Sequence, residues 1–138
     1  MSVVVFIGRI LFVALFLGSA FGHLTQTQAM TAYAEARGIP NARLAVQASG
    51  VVMGIGALMI LFGVWADLGA LLLVVFLVPT AFLMHAFWKE SDPETRQFEM
   101  IQFNKDMALA GASLMLFGFF ASVSTLGLTI TGPLISLG

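Results

Sequence analysis

The sequence predicts an all-α integral membrane protein, a four-helix bundle with a short interfacial helix between spans 1 and 2. Three observations lead there. Hydrophobic residues make up 59% of the 138 positions and charged residues only 9%, against roughly a quarter charged in soluble domains. A small soluble domain leaves much of its surface exposed, so most of this apolar material must face lipid. The apolar residues also gather into four runs, 3–22, 44–64, 68–88 and 107–125, each close to the ~20 residues that cross a bilayer core as a helix. None of the runs shows the alternation of barrel strands. The length suits one domain, 1–138.

The first run lacks a basic leader, and Gly18-Ser19-Ala20 is a poor cleavage site, so it reads as a span and not a signal peptide. Arg9 interrupts it about two turns in, where an unpaired charge costs roughly 2.5–3.5 kcal/mol if central. Asp67, in the tight turn between spans 2 and 3, is the carboxylate expected at that end. An Arg9–Asp67 ion pair is therefore expected, with phospholipid headgroups as the second partner.

Between spans 1 and 2 lies "LTQTQAMTAYAEARGIPNAR". Thr25 or Thr27 can start a short helix there, and Gly38 with Pro40 stops it. Met30, Tyr33 and Ala34 share one face, which places this helix at the interface or over the mouth of the bundle. Asn41 is the expected N-cap of span 2. Spans 2 and 3 are joined by a few residues and must be antiparallel neighbours. Gly18-x-x-x-Gly22 and Gly50-x-x-x-Gly54 predict close helix packing, and Pro79 predicts a kink in span 3. The tail, 126–138, is too short to span and is expected along the membrane surface or against a partner.

The chain has no cysteine, which excludes disulfides, thiolate zinc sites, iron–sulfur clusters and covalently attached haem. The two histidines, His23 and His85, are too few for an assigned metal site. Haem ligation is disfavoured because His23 closes a helix. No basic stripe suggests nucleic acid, and no catalytic residue is assigned.

Eight of the thirteen charged side chains lie within 85–106. Most of the charges between Glu90 and Glu99 read as solvated, so interest falls on the two ends of the stretch. His85, Phe87 and Trp88 leave span 3, Lys105 and Asp106 begin span 4, and His23 reaches the same face. Together they form a candidate site for a quinone, another ligand or a partner. A flat lipophilic molecule needs apolar walls and titratable groups, and histidine is the side chain best matched to proton exchange near neutral pH. Phe82, Phe87 and Trp88 could line its access route, and Asp92 could add a titratable group. Lys105 and Asp106 point about 100° apart on a helix, so one should meet His85 or the loop while the other faces headgroups.

The succession "GRILFVALFLGSAFGHL", "YAEARGIP", "FLVPTAFLMHAFW" and "DPETRQFEMIQFNKDMALAGASLML" resembles the DoxX family of small four-helix bacterial membrane proteins, from Arg9 to about Leu116. Its most specific part is the His-x-Phe-Trp element followed by Phe103-Asn104-Lys105-Asp106-Met107-Ala108. Asp106 stands where the resemblance leads one to expect asparagine, and Ala112 where a glycine is common. A neutral hydrogen bond at 106 thereby becomes one that needs a cation or a proton. The resemblance implies a multi-pass protein of the bacterial cytoplasmic membrane, and it singles out Arg9, His85, Trp88 and Lys105. The family takes its name from a subunit of a thiosulfate:quinone oxidoreductase. The expectation is thus an accessory or anchoring subunit of a membrane oxidoreductase or respiratory-type complex. Such a subunit would contact quinone, sit among other membrane subunits and not be catalytic alone. The alternative is a purely structural assembly subunit. Arg37, Arg43, Lys89, Arg96 and Lys105 all lie on the long-loop side, so the positive-inside rule puts those loops in the cytoplasm and both termini outside.

Overall fold

A computed structural model describes residues 2–124 and 126–137. The described residues form five α-helices, α1 (Ser2–Thr25), α2 (Thr27–Ala36), α3 (Ala42–Phe62), α4 (Ala66–Met84) and α5 (Pro93–Ser122), with a single 3-10 turn at Phe87–Lys89 and no strand. By length and composition, α1, α3 and α4 together with the 3-10 turn are fit to cross a membrane. The fifth helix differs. Its 30 residues extend about 45 Å at 1.5 Å each, well beyond a ~30 Å hydrocarbon core, and Glu94, Arg96, Glu99, Lys105 and Asp106 occupy its first half.

The long helices each bury one stripe, and outside the charged first half of α5 most of what they leave exposed is apolar. In α1 the stripe is Arg9, Val13, Phe16 and Ala20, the three-and-four spacing of one helix face. The stripe of α4 is Ala66, Ala70, Leu73, Leu77 and Ala81. On α5, Glu99, Asp106, Ser113 and Phe120 follow one another at intervals of seven. Val4, Leu11, Phe21, Leu44, Val75 and Met115 point outward, which is the pattern of helices solvated by lipid.

Packing runs in sequence. The first helix lies on α3, α3 on α4 and α4 on α5, while α1 and α5 hardly approach each other; α2 lies across α3. The closest crossing joins α3 to α4 at Gly56 and Gly69, where a Cβ on either glycine would come within 2.9 Å and 2.8 Å of the other's carbonyl oxygen. Of the four glycines expected at interfaces, a Cβ added at Gly50 would come within 2.8 Å of the His23 Cβ, one at Gly22 within 3.2 Å of Met30 and one at Gly54 within 3.5 Å of Ala20. Gly18 has open space around it, so its expected packing role is corrected.

Local expectations fared unevenly. The short helix α2 exists, but no side chain caps it; Thr27 Oγ1 instead donates to the His23 carbonyl at 2.8 Å. Asn41 occupies the N-cap position of α3 in a left-handed conformation without a capping bond. Pro79 lies inside α4. The last helix begins well before 107, because Asp92 caps it: its Oδ2 accepts from Thr95 N at 2.8 Å, and Pro93 holds the first helical position, where a missing N–H costs nothing.

At the end opposite the long loops, the expected Arg9–Asp67 pair does not form. Arg9, 2% exposed, donates from Nη2 to the Leu128 carbonyl at 2.5 Å and lies over the Phe6 ring. Asp67, fully buried, accepts from the backbone N–H groups of Leu134 and Ile135 at 3.0 and 2.8 Å. The C-terminal segment comes between them and supplies each with a backbone partner. The same segment closes the α3–α4 turn: Ile130 and Thr131 donate to the carbonyls of Phe62 and Gly63, and Thr131 Oγ1 accepts from Trp65 N. The tail is therefore bound to its own bundle.

Candidate functional site

The other end of the bundle holds a buried polar cluster beneath α2. The α4 helix stops at Met84, and the 3-10 turn that follows leaves His85 between α4 and α5. Its Nδ1 lies 2.7 Å from Glu99 Oε2, and its Nε2 lies 3.6 Å from Asp106 Oδ2. Glu99 and Asp106 are seven residues apart on α5, two turns along one face, so a single imidazole lies between two carboxylates.

Glu99 is 2% exposed. Its second oxygen accepts from Tyr33 Oη at 2.8 Å and from Arg37 Nη2 at 2.5 Å, both on or just after α2. Arg37 also pairs with Glu90 through Nη1 and lies over the Tyr33 ring. Burial alone would raise the Glu99 carboxyl, but the hydrogen bonds from His85 and Tyr33 and the Arg37 charge outweigh it and hold it below the ordinary carboxylate range. Burial and the bond to Glu99 push the Tyr33 phenol up to about 12, so it stays a donor. For Arg37, burial works against the charge, yet the bond to Glu90 and the charges around it win and hold the guanidinium above its ordinary value.

Of the charges between Glu90 and Glu99, Asp92, Glu94 and Arg96 are exposed as expected, whereas Glu90 and Glu99 each pair with Arg37. Glu99 is buried and ties α2, α4 and α5 together. The signal was available in the spacing, since Glu99 precedes Asp106 by seven residues and shares its helical face.

Below this cluster lies a cavity of about 440 Å³, within the roughly 300–1,000 Å³ of small-molecule sites. Leu15, Phe16 and Ser19 of α1 line one side and Phe98 and Leu109 of α5 another, so the cavity occupies the seam that those helices leave unpacked. Its titratable and amide lining comes from His23, Tyr33, His85, Gln102, Lys105 and Asp106, with the hydroxyls of Ser19 and Thr80 beside them.

Four of the six expected site residues therefore meet around one cavity: His23, His85, Lys105 and Asp106. Lys105 Nζ lies 3.3 Å from Asp106 Oδ1 and donates to Gln102 at 2.7 Å, its side chain 43% exposed. Asp106 is buried against His85. His23 is held by Ser49 Oγ at 2.9 Å from Nδ1 and stands edge-on to Phe76. Phe87 and Trp88 do not line the cavity. They pack with Phe82 and Phe103 in a mutual edge-to-face cluster, centroids 5.2–6.1 Å apart, the arrangement aromatic quadrupoles favour. Asp92 is taken up by the cap of α5.

Chemically, the arrangement offers an imidazole with two roles. With Nδ1–H donated to Glu99, Nε2 is an acceptor for a proton from Asp106 or from a ligand. As imidazolium, Nδ1–H donates to Glu99, and Nε2 stands 3.6 Å from Asp106 Oδ2 as a charge contact. Orientation of one histidine nitrogen by a carboxylate fixes what the other can do.

A family model described as DoxX matches residues 4–86. Comparison with curated proteins and with solved structures gives no match. The matched segment runs from α1 to just past α4 and includes His23 and His85, but ends before Trp88, Glu99, Lys105 and Asp106. With more than half of the chain matched and three helices fit to cross a bilayer, this is a membrane protein of the DoxX family.

Proposed function

We propose that the protein is a four-span accessory subunit of a bacterial membrane oxidoreductase complex that binds a quinone, with α5 as the fourth span. One observation carries the reading: a largely apolar cavity whose polar groups include two imidazoles, a phenol, a carboxylate, an ammonium and an amide. A quinone ring suits apolar walls. Its carbonyls accept hydrogen bonds from Lys105, Gln102 or His85, and reduction takes up protons that His85 and Asp106 can pass. Electrons come from a partner subunit. The cavity borders the unpacked α1–α5 seam, which gives a lipid-soluble molecule a lateral route from the bilayer. The basic loops around the site face the cytoplasm in this reading, by the positive-inside rule.

A purely structural subunit is the second reading; it rests on the apolar tail and on exposed glycine faces that could dock neighbours. The tail is bonded to Arg9, Asp67 and the α3–α4 turn, which takes away the first support, while Gly18 keeps an open face. The test is binding of a short-tailed ubiquinone to the purified protein in detergent. His85→Ala should weaken binding by about tenfold, the scale of a lost hydrogen bond to a charged group. Equal affinity in His85→Ala, or no binding to the wild type, overturns the proposal.

A further inference from the structure

We infer that the ligand is a long-tailed amphiphile whose tail runs past His23 into a second chamber between α3 and α4, an inference that rests on the binding role proposed above. This chamber, about 160 Å³, is lined by Ile39, Ala45, Pro79 and Leu83 among others. It is smaller than the roughly 300 Å³ at which small-molecule sites begin, so it is not a site of its own. His23, Val46, Phe76, Thr80 and Met84 line both spaces, so a single layer of side chains stands between them, and a tail that passes His23 enters the second from the first.

The polar groups decide which end of a ligand goes where. In the second chamber they are already engaged: His23 Nδ1 with Ser49 Oγ at 2.9 Å, Ser49 Oγ donating to the Val46 carbonyl at 2.8 Å, and Thr80 Oγ1 donating to the Phe76 carbonyl at 2.7 Å. Hydroxyls spent on backbone carbonyls offer little to a polar head, and the remaining surface is apolar. The first chamber holds Lys105, Asp106 and His85. The head belongs there, and an isoprenoid or acyl chain belongs beyond His23. His23 itself is held close to α3, because its Cβ is 2.8 Å from where a side chain on Gly50 would begin.

The test compares a short-tailed ubiquinone with decyl-ubiquinone on the full-length protein in detergent. Ala45 lies on the exposed rim of the second chamber, so Ala45→Phe fills it without touching the head site. The variant should bind the decyl compound about tenfold more weakly and the short one as before. Equal loss for both, or no loss for either, overturns the tail assignment and leaves head binding standing. Failure of the wild type to bind either compound removes both proposals together. A second measurement avoids mutation: a quinone with a diazirine at the end of its tail should label the segments 39–49 and 79–84. Labelling of Leu15 or Phe98 would put the tail in the α1–α5 seam and overturn the inference.

Discussion

Glu99 is a carboxylate surrounded by His85, Tyr33 and Arg37, and its cost of burial is met only while all three donors are present. Removing one partner of a buried ion pair leaves the other uncompensated, at about 3–5 kcal/mol. Because Arg37 keeps Glu90, Glu99→Ala should cost about 3 kcal/mol, at the low end of that range, read as a lower thermal midpoint in detergent. The same group sets a pH dependence. Its carboxyl is held below the ordinary range in the folded protein, so its contribution is fully present above the unfolded carboxyl's titration and is lost as pH falls through the depressed folded value. Thermal midpoints of wild type and Glu99→Gln, compared from neutral to acid, should converge on acidification; a constant gap would remove Glu99 ionisation from the stability of this end. A lone glutamate in a charged loop reads as solvated until its helical register is aligned with Asp106, and its partners on α2 are more than sixty residues away in sequence.

For the helices, small residues decide where backbones meet. Gly56 and Gly69 face each other's carbonyls at distances no side chain tolerates, while Gly18 faces nothing. Gly56→Leu should therefore destabilise by the 1–3 kcal/mol of overpacking or more, whereas Gly18→Ala should be neutral or stabilising by up to about 1 kcal/mol, the helix preference of alanine over glycine. Thermal midpoints of the two variants test the contrast, and a destabilising Gly18→Ala would restore an interface at that face. Small-xxx-small spacing picks out glycines able to approach another helix; which of them do depends on how the helices rotate. The spacing of α5 was equally ambiguous. Its apolar half reads as a span, while the charged half before it reads as loop, and only the Asp92 cap and the long inner stripe show that both belong to one helix.

Across the whole molecule, the two ends have different jobs. One end is closed by the C-terminal segment, clamped by Arg9 and Asp67. The other holds the cavity and the polar cluster. Asp67→Ala removes two backbone bonds to a charged acceptor, each of a kind worth about 1.5–3 kcal/mol, and should free the tail. Limited proteolysis within 126–137 should then accelerate in the variant while the helices stay protected. An unchanged digestion pattern would show that Asp67 does not hold the tail.

The membrane class, the existence and order of the helices, the antiparallel α3–α4 pair, and the arrival of His23, His85, Lys105 and Asp106 at one end were all legible from the chain. Each follows from local composition and from the parity of successive crossings, which need no knowledge of helix rotation. The partners of individual charges were not legible. Arg9 and Asp67 do lie at the same end, yet each takes a backbone partner from the returning tail, Arg9 through Nη2 alone; Glu99 is buried by a tyrosine from α2 and the arginine just after it; Phe87 and Trp88 turn to other rings and away from the cavity. A buried charge takes whichever donor or acceptor packing brings within about 3 Å, and that depends on rotations and chain returns that hydropathy does not encode.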